Sequence, residues 1–220
     1  MDYYSKYLKY KTKYLNLKND QQMFGGAKKS NLPIVICGPS GAGKSTLIER
    51  LKKDYPDRYG FVVSHTTRDP RPGEVNGVAY WFVKKDEMEK KISNDEFLEY
   101  SRHLGNIYGT SFKAIDDVQK SGKICILDID IGGVKACMAR EKTDKKFKIG
   151  AYVFISPPSI EVLRERLIKR GTSPEDLERR LAKAKIELEE AKEIKWKAYL
   201  IADDFEKMYN QFKSKLKIKN

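Results

Sequence analysis

Eight consecutive residues, Gly38-Pro39-Ser40-Gly41-Ala42-Gly43-Lys44-Ser45, limit what this chain can fold into more than any other stretch. They spell G-x-x-x-x-G-K-S, a loop whose backbone N–H groups cradle phosphate. Pro33-Ile34-Val35-Ile36-Cys37 lies just before it, and this short apolar run predicts a buried strand. Thr46-Leu47-Ile48-Glu49-Arg50-Leu51 lies just after it and predicts a helix with an apolar stripe. Strand, glycine loop and helix together aim backbone N–H groups and a helix N-terminus at an anion. The expected ligand is a nucleoside triphosphate, held by Gly38, Ser40, Gly41, Ala42, Gly43, Lys44, Ser45 and Thr46. Lys44 can reach the β- and γ-phosphates, and the Ser45 hydroxyl can ligate Mg²⁺.

A chain of 220 residues fits one globular domain with inserted lobes. The net charge of +13 invites a nucleic-acid partner. The excess is spread along the chain, however, and no helix-turn-helix, zinc-finger or RNA-recognition pattern accompanies it. A basic surface suited to anionic nucleotides is therefore the expectation, with no nucleic acid as partner. Cys37, Cys125 and Cys137 lack metal-ligand spacing, and Cys37 and Cys125 sit in apolar runs that predict core positions. An odd cysteine count with no signal peptide points to a reducing, cytoplasmic setting. No apolar run approaches the roughly 18 residues of a membrane span.

Residues 1–30 form a separate Tyr/Lys-rich extension. Tyr3, Tyr7, Tyr10, Tyr14 and Leu17 would share one face of a helix. The domain proper is expected over 31–220, where strands and helices alternate. Strands are expected at Phe61-Val62-Val63-Ser64, Tyr80-Trp81-Phe82-Val83, Lys123 to Asp130, Ile149 to Ile155 and Ala198-Tyr199-Leu200-Ile201. Helices are expected from Asp86, as N-cap, to about Asn94, from Pro158 to about Arg170, from Pro174 to about Lys195, and from about Asp204. Repeated strand–helix units predict an α/β fold with a parallel sheet and helices on both faces. The segment from about 64 to 113 breaks that rhythm with short aromatic strands and reads as an inserted lobe.

The phosphate loop does not identify a second substrate. Ser64-His65-Thr66-Thr67-Arg68-Asp69-Pro70-Arg71-Pro72-Gly73-Glu74 places two arginines three apart, stiffened by prolines. Guanidinium pairs clamp phosphate bidentately. Four further stretches follow in order: Gly77-Val78-Ala79-Tyr80, Phe97-Leu98-Glu99-Tyr100, Gly105-Asn106-Ile107-Tyr108-Gly109-Thr110 and Ile126-Leu127-Asp128-Ile129-Asp130. Arg166 through Arg170-Gly171-Thr172 completes the set. With this order of motifs the chain resembles the guanylate kinases from about Leu32 to Phe212.

The resemblance implies a three-layer P-loop core, a GMP-binding lobe over 64–113 and a helical lid over 159–182. It implies transfer of the γ-phosphate of ATP, accompanied by Mg²⁺, to GMP, with dGMP as a side acceptor. It also assigns roles. Arg68, Arg71, Tyr80 and Tyr108 would hold the monophosphate, with Glu74 beside them. Ser64, Glu99, Thr110 and Asp130 would read guanine. Physical chemistry supports Glu99, because an ionised carboxylate only accepts hydrogen bonds and guanine offers N1–H and an amino group. Asp128, at the end of an apolar strand, would orient Mg²⁺ together with Ser45. Asp130 would lie on the same strand face two residues on. Lys44, Arg166, Arg170 and Arg180 would neutralise charge during transfer, with Arg166 and Arg170 on one helix face. Arg164 and Arg179 would be solvated. No proton-abstracting residue is required, because a phosphate dianion is already a nucleophile.

Three departures stand out. Ala202 replaces a usual Asn before Asp203-Asp204, which loosens the expected choice of phosphate donor. Ile131-Gly132-Gly133 lacks a usual glutamine. Glu141 to Lys148 reads as a short basic insertion. Two alternatives remain open at this point: a non-catalytic interaction module built on the same fold, and a kinase for another nucleoside monophosphate. Of these, the retained Lys44, Ser45, Asp128 and lid arginines oppose the first, and Glu99 opposes AMP as acceptor. A monomer is expected.

Overall fold

The computed structural model describes residues 32–103, 105–145 and 147–218. The Tyr/Lys-rich extension therefore lies outside the described residues. The central sheet has five strands: β1 (Ile34–Cys37), β2 (Tyr59–Phe61), β7 (Ile124–Asp128), β8 (Ala151–Ser156) and β9 (Ala198–Ile201). They run in the order β2-β7-β1-β8-β9 and pair in parallel throughout. The apolar runs explain this arrangement, because a parallel sheet is buried on both faces. Ile34 and Ile36 of β1 pack to one side with Leu47, Leu51, Tyr209 and Phe212. Val35 and Cys37 pack to the other with Leu127, Val134, Cys137 and Phe154. All three cysteines are buried and unbridged, and Cys37 and Cys125 are core residues as their apolar surroundings predict.

Helix α1 (Lys44–Asp54) follows the phosphate loop, and α7 (Phe205–Leu216) carries Tyr209 and Phe212 onto the same side of the sheet. The opposite side holds α3 (Phe112–Lys120), α4 (Ile131–Thr143) and part of α6 (Pro174–Lys192). A second sheet, ordered β4-β3-β6-β5, consists of β4 (Trp81–Phe82), β3 (His65–Thr66), β6 (Asn106–Ser111) and β5 (Phe97–His103). Its own small core joins Met88 of α2 (Lys85–Ser93) to Phe97 and Ile107. Helix α5 (Ile160–Lys169) and α6 form a hairpin around Leu163, Leu167, Leu177, Leu181 and Ala184. These are the α/β elements and parallel sheet that the alternation of patterns predicts.

Several boundaries move for identifiable reasons. The strand expected at Phe61–Ser64 lies earlier. Only Val62 continues it, donating its N–H to Ile126 O, before the Ser64 carbonyl turns to accept from Trp81 N. Helix α2 starts one residue before the expected cap. Lys84 is its N-cap, and Asp86 and Glu87 sit in the first turn, where negative charge suits the helix dipole. The helix expected from Pro158 starts at Ile160, because the Ser159 hydroxyl accepts from Val162 N and so defines the cap. Helix α6 ends at Lys192 rather than Lys195, and Trp196 Nε1 donates back to Ala191 O. Asp204 caps α7 as expected, accepting from Lys207 N at 2.7 Å. The stretch that reads as a basic insertion is anchored by its non-basic residues. Glu141 accepts from Ile149 N and Tyr152 Oη, and Phe147 is buried beneath Arg140, which precedes the stretch and lies over the Phe112 and Phe147 rings.

Candidate active site

The C-terminal edge of the parallel sheet opens into a cavity of about 560 Å³, the position at which open α/β sheets present ligands. Register builds the first wall. Ile36 of β1 lies beside Asp128 of β7, so the end of β7 meets the start of the phosphate loop. Gly43 caps α1 at φ 111, a left-handed conformation natural to glycine. Among the described residues no side chain caps this N-terminus, which leaves its first-turn N–H groups to an anion. Lys44 Nζ donates to Gly38 O at 2.6 Å and Pro39 O at 3.2 Å, and stands 3.8 Å from an Asp128 carboxylate oxygen. Burial pushes the Asp128 carboxyl up, and Lys44 opposes that shift. Gly38, Ser40, Gly41, Gly43, Lys44 and Ser45 line the cavity. Ala42 is buried in the core instead, and Thr46 is exposed without lining the cavity.

The second wall carries Arg68, Arg71, Glu74, Tyr80 and Tyr108. Glu74 organises it: one carboxylate oxygen pairs with Arg68 Nη2 at 2.9 Å and accepts from Arg71 N at 2.8 Å. Arg68 lies over the Tyr80 ring, 5.5 Å from its centroid, and Tyr80 meets Tyr108 edge to face. Burial holds the Tyr80 hydroxyl well above its ordinary range, with Asp128 adding to the effect, so Tyr80 stays a neutral donor. The Nε atoms of Arg68 and Arg180 are buried with no hydrogen-bond partner among the described residues. A buried, unpaired guanidinium N–H is costly unless an anion meets it.

The third wall is where β5 and β6 face α4. Glu99 sits opposite Thr110 in the ladder and is only 6 % exposed. Burial pushes its carboxyl up to about 7, against the pull of hydrogen bonds from the Thr110 side chain and backbone. A side chain on Gly133 would bring its Cβ within 2.8 Å of Glu99 Oε2, so glycine is what lets α4 approach this carboxylate. Ser64 lines the cavity and shares a 3.1 Å hydroxyl contact with Thr110. Thr110 itself is fully buried behind Ser64 and Glu99 and does not line the cavity. Asp130 does line it, but not as a strand residue. Strand β7 stops at Asp128, and Asp130 is the N-cap of α4, accepting from Gly133 N at 3.0 Å. Both Asp128 and Asp130 line the cavity, the first from the end of a strand and the second from a helix cap.

The α5–α6 hairpin supplies the fourth wall. Arg170, at the C-cap of α5, and Arg180 line the cavity, and Arg180 donates to Ser40 Oγ at 3.3 Å. Burial lowers the basicity of Arg180, with the nearby cations Arg71 and Arg68 adding to it and Asp176 and Tyr108 opposing. Arg166 does not line the cavity. Its guanidinium donates to the backbone carbonyls of Ala42 and Ala202, at 3.4 and 2.7 Å, tying the phosphate loop to the residue after β9. Arg164 pairs with Glu178 at the surface, and Arg179 is exposed, as expected for solvated positions. Among the polar cavity residues that the sequence reading did not assign to the site are Ser101, Lys183 and Glu187. Ser101 lies two residues from Glu99 on one strand face, and Lys183 and Glu187 are one helical turn apart, so the periodicities were present. Lysines and glutamates abound on such a helix, and nothing in the pattern separated these two.

A glycine-loop nucleotide site facing a second, arginine-lined recess across one cavity defines a P-loop phosphotransferase architecture. The comparisons narrow it. The family model described as guanylate kinase matches residues 30–219. The guanylate kinase of Sus scrofa is 44% identical over 84% of this chain and 91% of its own length. The Homo sapiens guanylate kinase is 42% identical over 84% of this chain and 91% of its length. The crystal structure of guanylate kinase from Anaplasma phagocytophilum superposes with a TM-score of 0.63 at 26% identity, covering 89% of this chain and 88% of that one. The chain belongs to the guanylate kinase family.

Proposed function

We propose that the protein transfers the γ-phosphate of ATP to GMP, giving ADP and GDP, and accepts dGMP less readily. One observation carries this reading: the phosphate loop and the Arg68–Arg71–Tyr80–Tyr108 recess line a single cavity, with the buried Glu99 between the second sheet and α4. Two anionic ends and one hydrogen-bond acceptor match a triphosphate, a monophosphate and guanine in that order.

ATP binds with its phosphates against Gly38 to Ser45 and Lys44. Ser45 and Asp128 each offer a hard oxygen donor on this wall, a set that suits Mg²⁺ retaining waters and phosphate ligands. When bound, Mg²⁺ with Ser45 and Asp128 neutralises charge on the triphosphate. GMP places its phosphate between Arg68, Arg71, Tyr80 and Tyr108, where the free Arg68 Nε gains an acceptor. Glu99 accepts from guanine N1–H and the amino group, Ser64 meets the base, and Thr110 holds both side chains in place. Asp130 completes the base end.

Phosphoryl transfer needs positioning and charge stabilisation rather than a proton acceptor. Segment 64–113 acts as the GMP lobe and 159–182 as a lid, and lid closure brings Arg170 and Arg180 onto the transferring group while excluding water. Arg166 fixes the phosphate loop backbone from the lid side. The protein works as a cytoplasmic monomer without a nucleic-acid partner. Among the described residues no helix is long and apolar enough to cross a membrane. Incubation with ATP, Mg²⁺ and GMP, followed by ³¹P NMR, tests the reaction. Equimolar ADP and GDP is the expected result. ADP with free phosphate and unchanged GMP would refute phosphoryl transfer to GMP.

A further inference from the structure

Lys183 belongs to no part of the chemistry described above, yet it lies on the cavity wall between two carboxylates. Its Nζ is 3.4 Å from Asp130 Oδ2 and 3.4 Å from Glu187 Oε1. Glu187 is 7 % exposed, and Lys183 and Lys44 are the cations that act on it, Lys183 the more strongly. Such a buried carboxylate needs a partner to remain charged. Asp130 is held from two other sides, by Gly133 N at 3.0 Å on Oδ1 and by the Ser101 hydroxyl. The three contacts come from three elements: Gly133 from α4, Ser101 from β5, and Lys183 from α6, the helix that carries Arg180.

We infer that Lys183 is a positioning residue for the acceptor nucleotide: it fixes the Asp130 carboxylate against α6 and so links the helix bearing Arg180 to the base end of the GMP site. The inference rests on the GMP kinase reading. Glu187, one helical turn along α6, holds the lysine at 3.4 Å and so keeps its ammonium beside Asp130. Lys183 therefore acts through Asp130 and touches neither reacting atom.

Steady-state kinetics on Lys183→Met, Lys183→Arg, Asp130→Asn and the Lys183→Met/Asp130→Asn double variant test this. The pair is partly exposed, so its effect sits low in the range of coupled neighbours. In Lys183→Met the KM for GMP should rise by roughly three- to tenfold, with kcat and the KM for ATP within about twofold of the parent. Lys183→Arg should restore most of the affinity. In the Asp130→Asn background the Met substitution should change the KM for GMP no further. An unchanged KM for GMP in Lys183→Met, an equal rise for ATP, or a fully additive double variant would each overturn the inference. Melting curves accompany the kinetics, and a stability loss shared by Lys183→Met and Lys183→Arg, with no selective GMP effect, would mark the residue as structural and also overturn it. Failure of the parent enzyme to phosphorylate GMP would instead refute the kinase reading.

Discussion

Replacing Glu99 with Gln changes one oxygen for an amide nitrogen in a site that is 6 % exposed. The backbone and Thr110 contacts that hold the side chain can survive the exchange. What changes is the face offered to guanine, where an NH₂ donor now opposes N1–H or the exocyclic amino group. Leaving a buried donor unsatisfied costs about 1–3 kcal/mol, and every 1.4 kcal/mol is about tenfold. The expected result is a loss of roughly 10- to 100-fold in kcat/KM for GMP, with the KM for ATP unchanged. The parent enzyme should also carry a pH signature. Burial disfavours the charge of Glu99 and pushes its carboxyl up to about 7. In the proposed complex guanine meets the ionised form, so below that pH each binding event must release a proton. The KM for GMP should therefore fall as pH rises through about 7, by up to about tenfold per pH unit on the acid side. GMP's own phosphate titrates near 6, so the Gln variant serves as the control, retaining the phosphate titration and losing the Glu99 component. Coupled ADP-release assays at several pH values read both effects. Identical KM-versus-pH curves for parent and Gln variant, or equal GMP and ATP kinetics in the two, would refute the assignment of Glu99.

Removing the Lys44 ammonium by Lys44→Ala should lower kcat by about 10²–10³ in a protein that still folds, since the residue's bonds are to its own loop and to Asp128; turnover equal to the parent would contradict its role. Arg71→Ala should raise the KM for GMP and leave that for ATP, because Arg71 lines the second wall, and a selective ATP effect would reverse the two ends of the cavity. Asp204→Ala removes the α7 cap bond to Lys207 N and should cost about 1 kcal/mol, about 2–4 °C in melting temperature, with kinetics unchanged.

The fold was legible where patterns were local. The glycine loop, its flanking strand and helix, and Ala198–Ile201 lie where apolar runs and caps placed them. Boundaries failed where tertiary pairing decided. Phe61–Ser64 has strand composition, but the need of Trp81 N for the Ser64 carbonyl turns the chain into a second sheet. Asp130 reaches the cavity as a helix cap and not by the strand period that places it beside Asp128 in the sequence. Thr110 and Arg166 were expected to meet ligand directly. The structure puts Thr110 behind Ser64 and Glu99, and Arg166 on the backbone of the phosphate loop. Neither relation is encoded by spacing, because each joins segments far apart in the chain. Ala202, expected to weaken donor choice through a lost amide, offers its carbonyl to Arg166, a contact any residue there could make.

The most direct test is ADP release from ATP and Mg²⁺ with GMP, dGMP, IMP, AMP and dTMP as parallel acceptors. A site built on an acceptor carboxylate should favour GMP over AMP by about 10⁴ or more in kcat/KM, with dGMP intermediate. Comparable rates with AMP and GMP would contradict the reading of Glu99. No turnover with any acceptor, in a folded protein that binds GMP, would contradict the kinase reading itself.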